Sequence, residues 1–430
     1  MRLKKQIWTM QHKRTNKYHS TRFGTLPEDW DIDTLSRNAV VLFSNVDKHI
    51  KEDEIEVRLC NYTDVYYNQY IFNDLLFSKG TVKESEHKKF RLLKGDVIIT
   101  KDSEDRADIA VPAYVIEDVD NLICGYHLAI IRPSNGKLDG LFLHHLFQVE
   151  FFNHYFQKLA NGITRFGLST SSIQHSLLPL PPIKEQKKIA EIISTWDLAI
   201  SQISELVESI KLRNKGLAQQ LLTGKKRIYE FEDEWQELSL HDITSRVTRK
   251  NEELDDTVVT ISAQRGFVLQ EDFFNKRVAS ETLSNYYLIY KGEFAYNKSY
   301  SNGYPMGAFK RLDAFDKAVV TTLYICFSLK SNVDSDFINQ LFSAGMMNRG
   351  LMKIAQEGGR AHGLLNISLH DFFRLKLSIP YLDEQKTISQ VLRAAEQELS
   401  QHNEKLELLK KQKKGLMQQL LTGEIRVNLN

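Results

Sequence analysis

The stretch Tyr296–Pro305, spelled Tyr-Asn-Lys-Ser-Tyr-Ser-Asn-Gly-Tyr-Pro, gathers side chains suited to a nucleic acid. Lys298 can meet a phosphate, and Asn297 and Asn302 offer donors to base edges. Tyr300 and Tyr304 are its aromatic members, and Gly303 lets a backbone approach closely. The corresponding place earlier in the chain, Thr100–Arg106, carries Lys101, Ser103 and Arg106, with Asp102, Glu104 and Asp105 diluting their charge. Arg165, near Gly162 and Gly167, and Arg360 with His362 are further candidates, because a guanidinium pairs in two-pronged fashion with guanine. For each residue the plain alternative is an ordinary surface side chain.

Catalytic signatures are absent from the sequence. There is no Gly-x-x-x-x-Gly-Lys-Ser/Thr loop, no Asn/Asp-Pro-Pro-Tyr/Phe motif and no carboxylate cluster of a nuclease. Asp29, Asp31 and Asp33 alternate at a domain edge and read as solvated charge. His144, His145 and His154 share a helical stretch, but no cysteine or carboxylate set completes a ligand spacing, so packing is the expected role and no metal is expected. The chain is expected to hold no cofactor and to perform no chemistry, which must come from a partner. The 57 basic and 55 acidic residues nearly cancel, so any affinity for an anion comes from local patches. Three scattered cysteines, no apolar run of membrane length and no signal-peptide core predict a cytoplasmic protein without a membrane partner.

The elements that must position these loops are mixed α and β. Val40–Phe43, Val97–Thr100 and Leu128–Ile131 read as strands, and Leu141–Leu159 as one amphipathic helix. The same features return later. Trp235 with Leu240 answers Trp30 with Leu35, and Lys291–Phe294 answers Lys94–Val97. The helix from His145 to Tyr155 has its counterpart in Gln340–Leu351, each followed by a turn bearing glycine and arginine. A basic arm at 1–29 could touch phosphate or remain solvated, and the packed domains are expected at 30–180 and 229–379.

Between and after them lie helical regions at 181–228 and 380–430, and the segment 181–228 is written again, without a gap, at 380–427. In the first copy Ile189, Ile193, Trp196, Ile200, Ile203, Val207, Ile210, Asn214, Leu217 and Leu221 follow spacings of four and three. In the second, Ile388, Leu392, Ala395, Leu399, His402, Leu406, Leu409, Lys413, Leu416 and Leu420 do the same. Prolines start each helix, and Gly224 and Gly423 stand where a left-handed terminal residue is wanted. Helices of roughly 35 residues, on the order of 50 Å long, cannot leave such a stripe exposed. The simplest arrangement is an antiparallel coiled coil with a pseudo-twofold axis, its register set by Asn214, His402 and Lys413. Such a rod would hold two readers apart on DNA and predicts an asymmetric, bipartite target.

The openings Pro-Pro-Ile-Lys-Glu-Gln at 181–186 and Pro-Tyr-Leu-Asp-Glu-Gln at 380–385, with the endings Gln-Gln-Leu-Leu-Thr-Gly at 219–224 and 418–423, resemble the specificity (S) subunit of type I restriction-modification enzymes. The resemblance covers nearly the whole chain. It implies two α/β (α+β) target recognition domains alternating with conserved helical regions, and a non-catalytic subunit that gives double-stranded DNA specificity to two methyltransferase (M) subunits. Restriction (R) subunits would join through that complex, and S-adenosylmethionine, ATP and magnesium would belong to the partners. Because the two copies agree best at the helix ends, Glu185, Gln186, Gln219, Gln220, Glu384, Gln385, Gln418 and Gln419 are the expected docking residues. The alternative is a coiled-coil adaptor carrying two ligand-binding modules that do not bind DNA.

Overall fold

The structure, a computed structural model, describes residues 18–21, 23–228, 231–276, 278–280, 282–355 and 365–429. It forms two compact units, residues 1–204 with 405–430 and residues 205–404. Each long helix, Ile183–Leu221 and Leu382–Leu421, therefore contributes one half to each unit. No helix among the described residues is long and apolar enough to cross a membrane.

In the first unit a five-stranded sheet runs in the order Ala39–Phe43, Leu128–Pro133, Val97–Thr100, Pro112–Val115, Tyr70–Ile71. Its strands are rich in β-branched residues, and alternate side chains enter different cores. Val97, Ile99, Ala129 and Ile131 face helices, whereas Ile98, Leu128 and Ile130 face a second, three-stranded sheet of Leu122–Cys124, Ile55–Cys60 and Ser78–Val82. Both faces are buried, which explains the continuous apolar spelling of these strands. The strand Asp31–Thr34 pairs with Leu177–Leu180, so the two ends of 30–180 lie side by side. Packing begins earlier than Trp30: Tyr18–Thr21 pairs with Gly24–Pro27, and Phe23 and Leu26 are buried. The lysines and arginines of the basic arm lie outside the described residues.

The single helix expected over Leu141–Leu159 is two, Gly140–Phe147 and Glu150–Leu159. Val149 between them is extended, and its carbonyl accepts from the Phe152 and Asn153 amides. The break lets Leu146, Phe147, Phe152 and Phe156 all reach one core. A straight helix could not aim four such bulky groups there.

The second unit is also built of mixed α and β elements. Its four-stranded sheet runs Thr244–Arg246, Ile325–Leu329, Phe294–Asn297, Ala308–Arg311. Phe294, Tyr296, Phe309, Ile325 and Phe327 enter the helix-side core, and Ala295, Ala308 and Cys326 the opposite one. Gln236–Ser239 pairs with Lys376–Ile379 and closes the unit's globular part.

All twenty seam positions of the long helices are buried or half-buried. The helices end as expected, with Gly224 at φ +69° and Gly423 at φ +71°. A Cβ on Gly423 would meet Pro27 Cγ at 2.5 Å, so the glycine is needed for contact as well as conformation. The polar seam residues are accounted for individually. Asn214 Nδ2 donates to the Ala395 carbonyl at 2.7 Å, and Lys413 forms a buried ion pair with Asp197, which also accepts from Tyr70 Oη at 2.9 Å. Half-buried His402 leaves Nδ1 without a hydrogen-bond partner.

Beside Lys413 and Asp197 lie His144 and His145, both wholly buried. Burial, helped by the Lys413 charge, holds His144 down to about 3; burial, with His144 and Lys413 nearby, holds His145 well below the ordinary value of 6.5. Between these limits the unfolded chain takes up protons that the folded one refuses. Stability is thus complete above pH 6.5 and is lost as the pH falls. The first unit should lose about 1.4 kcal/mol per pH unit for each histidine on acidification. Urea unfolding at stepped pH checks this, and His144→Gln should halve the slope.

Candidate nucleic-acid interface

The two loops singled out by residue type occupy matching places. Thr100–Arg106 leaves the strand Val97–Thr100 and returns through Pro112–Val115; Asn297–Tyr304 leaves Phe294–Asn297 and returns through Ala308–Arg311. Each is thus the link of an antiparallel pair in its unit's main sheet.

In the second unit, Tyr300 is 65% exposed, Asn302 is exposed, and Asn297, Lys298 and Tyr304 are half-buried. Asn297 Oδ1 accepts from the Ser299 amide at 3.0 Å, and Ser301 and Tyr304 bridge to each other across Gly303, at φ +79°. Tyr296, at the base, is buried and donates to the Met306 carbonyl. Two residues that sequence reasoning missed join the loop. Gln264 Nε2 donates to the Asn302 carbonyl at 3.1 Å, and Lys310 Nζ lies 5.0 Å from the Tyr304 ring centre. Arg360 and His362 lie outside the described residues.

In the first unit, Lys101 Nζ donates to the Ser44 carbonyl at 2.7 Å and lies over the Phe43 and Tyr126 rings. Partial burial lowers its pKa against the opposing pull of Asp102. Lys101 is therefore anchored in the loop base. Ser103 is a correction: it is buried, and its hydroxyl is used by Tyr62 Oη and the Asp105 amide, so it has no free edge for DNA. Arg106 is exposed, with its guanidinium 4.6 Å from the Phe166 ring centre. Arg165 is exposed and joins the same loop because Phe166–Gly167 pairs with Asp102–Ser103. The sequence carries no local signal for Tyr126 and His127, which the fold delivers to this place from a different strand connection.

The docking assignment needs correction at the helix starts. Glu185, Gln186, Glu384 and Gln385 are all buried. Arg426 Nε and Nη2 grip the two Glu185 carboxylate oxygens at 2.7 Å each, and Trp30 Nε1 donates to the same carboxylate at 3.3 Å. In the second unit Arg227 grips Glu384 in the same two-pronged way at 2.7 Å. Gln186 Oε1 accepts from the Asp139 amide and its Nε2 donates to the Pro181 carbonyl; Gln385 repeats both bonds with Asp334 and Pro380. Asp139 and Asp334 cap the helices Gly140–Phe147 and Ser335–Ser343. The repeated Glu-Gln pair is thus an internal clasp, with no side-chain edge for a partner. Asp29, expected to be free, is part of it: Arg426 binds it at 2.7 and 2.8 Å and holds its carboxyl below the usual range. At the helix ends, by contrast, Gln219, Gln220 and Gln418 are exposed and Gln419 half-buried.

Residues 47–212 match the family described as type I restriction modification DNA specificity domain. Its relatives are the specificity subunits of type I restriction enzymes. The MjaVIII specificity subunit of Methanocaldococcus jannaschii is 23% identical over 453 residues, 98% of this chain and 99% of that protein. The EcoKI specificity subunit of Escherichia coli K12 is 24% identical over 211 residues, 47% of this chain and 43% of that protein. Two solved structures share the fold. The S subunit from M. genitalium aligns over 91% of this chain and 96% of its own, at TM-score 0.52 and 14% identity. The HsdS subunit from Thermoanaerobacter tengcongensis aligns over 93% and 98%, at TM-score 0.52 and 15% identity. The MjaVIII relative and both solved structures align along nearly the full length of the chain, whereas the EcoKI relative aligns with about half of it.

Proposed function

We propose that this chain is the DNA-specificity subunit of a type I restriction-modification system, in which each globular part reads one half of an asymmetric bipartite site. The observation that carries this reading is the pair of polar loops at matching places in the two main sheets, on a chain whose relatives are specificity subunits throughout its length. The long helices serve as an antiparallel coiled coil that sets the spacer between the half-sites. Supporting this, Asp197 meets Lys413 and Glu185 meets Arg426 in one unit, while Arg213 meets Glu398 and Arg227 meets Glu384 in the other. In each unit the numbers rise along one helical segment as they fall along the other, with Arg426 and Arg227 standing just past the helix ends. The matching clasps support a pseudo-twofold repeat.

The subunit performs no catalysis and works in the cytoplasm. Two methyltransferase subunits dock on it, with Gln219, Gln220, Gln418 and Gln419 at the contact. S-adenosylmethionine, ATP and magnesium act in the partner subunits. Co-expression with the methyltransferase subunit tests the whole proposal. A complex of two M with one S that methylates adenine in a bipartite site is expected; a chain that purifies without any methyltransferase would contradict it.

A further inference from the structure

In the first unit three side chains from three separate segments converge at the DNA-facing candidate loop. The Asp102–Ser103 and Phe166–Gly167 pairing sets Arg165 beside Asp102, with Nη2 3.1 Å from Oδ1. His127 closes the triangle: its Nδ1 lies 2.5 Å from Asp102 Oδ1 and 3.0 Å from Arg165 Nη2.

This arrangement is built, not incidental. His127 has φ +60°, a left-handed conformation that a non-glycine residue adopts only when its surroundings enforce it. The enforcement is visible. The Lys101 amide donates to the His127 carbonyl at 3.0 Å, the Tyr126 amide to Val46 at 2.8 Å, and the Gly125 amide to Cys60 at 2.8 Å. A Cβ on Gly125 would sit 2.8 Å from the Cys60 carbonyl, so the loop has little room to shift.

Exposure rises in order across the triangle: the Asp102 side chain is 20% exposed, His127 32% and Arg165 55%. The carboxylate is the inner anchor and the guanidinium the outer group. Arg165 uses Nη2 on the anchor, and its Nη1 and Nε have no partner among the described residues. A guanidinium held at Nη2 leaves its other N–H groups free to donate, and such donors suit the O6 and N7 acceptors of guanine. Lys101 does not compete for this task, being tied to Ser44.

We infer that Asp102 and His127 are positioning residues that hold Arg165 to read a guanine in the half-site of the first unit. The inference rests on the proposed function. It is tested in the complete complex with methyltransferase subunits, by measuring methylation of duplexes that carry each of the four bases at every position of both half-sites. Arg165→Lys should abolish the guanine preference at one position of one half-site. Asp102→Asn should weaken the same preference about tenfold or more, and His127→Asn, which tolerates the left-handed backbone, should weaken it less. The other half-site is the internal control for folding and assembly, and its preferences should stay as in the wild type. An unchanged preference in Asp102→Asn, or a change in both half-sites, would overturn the inference. A wild-type complex with no base preference anywhere would instead overturn the proposed function.

Discussion

Arg426→Ala should destabilise the first unit by about 3–5 kcal/mol, the usual cost of removing one partner from a buried ion pair. The Glu185 side chain is 2% exposed and would be left as a buried carboxylate with only the Trp30 indole for company. The lost partner also binds Asp29 and lies 6.0 Å from the Trp30 ring centre, so three contacts go together. The damage should appear as lost amide protection at the start of the helix Ile183–Leu221. Arg227→Ala should have a somewhat smaller effect in the second unit. Glu384 there lacks an indole donor, since Trp235 Nε1 has no hydrogen-bond partner. A change below about 0.5 kcal/mol for Arg426→Ala, the level of an ordinary surface substitution, would show that the clasp holds nothing together.

Asp197→Ala should cost a similar amount, about 3–5 kcal/mol, by a different route. It strands the Lys413 ammonium, 11% exposed, in an apolar seam and deprives Tyr70 of its acceptor. Replacing both partners, Asp197→Leu with Lys413→Met, should be nearly neutral or stabilising, because the cost of burying two charges goes with them. What the double variant should lose is one of the three polar register marks of the stripe, leaving Asn214 and His402. Size-exclusion with light scattering should then find more self-association in the double variant than in the wild type. Equal destabilisation in the single and double variants would place the effect in packing rather than in charge.

Much of the helical scaffold was legible because its signals are local. Spacings of four and three from Ile189 to Leu221 mark a face whatever that face meets, and Gly224 and Gly423 mark their own backbone conformation. The strands at Val97–Thr100 and Leu128–Ile131 were legible for the same reason. What depended on a distant partner was not. Nothing near Glu185 announces Arg426, and nothing near Lys413 announces Asp197. Identity between two copies therefore misled at the helix starts. A repeated Glu-Gln can mean a shared partner or a shared internal clasp, and burial decides for the clasp. The loops behaved similarly. Lys101, Arg106 and Arg165 were visible as charges, but only the fold shows Lys101 anchored, Ser103 enclosed and Arg165 beside His127.

The most direct measurement exchanges residues 30–180 for the corresponding segment of another specificity subunit and maps the methylated sites of the resulting complex. The cut is structurally clean, since Asp31–Thr34 and Leu177–Leu180 are paired at its two ends. One half of the bipartite target should change to that of the donor, while the other half and the spacer stay the same. A change in both halves, or in neither, would contradict the reading of one half-site by each globular part.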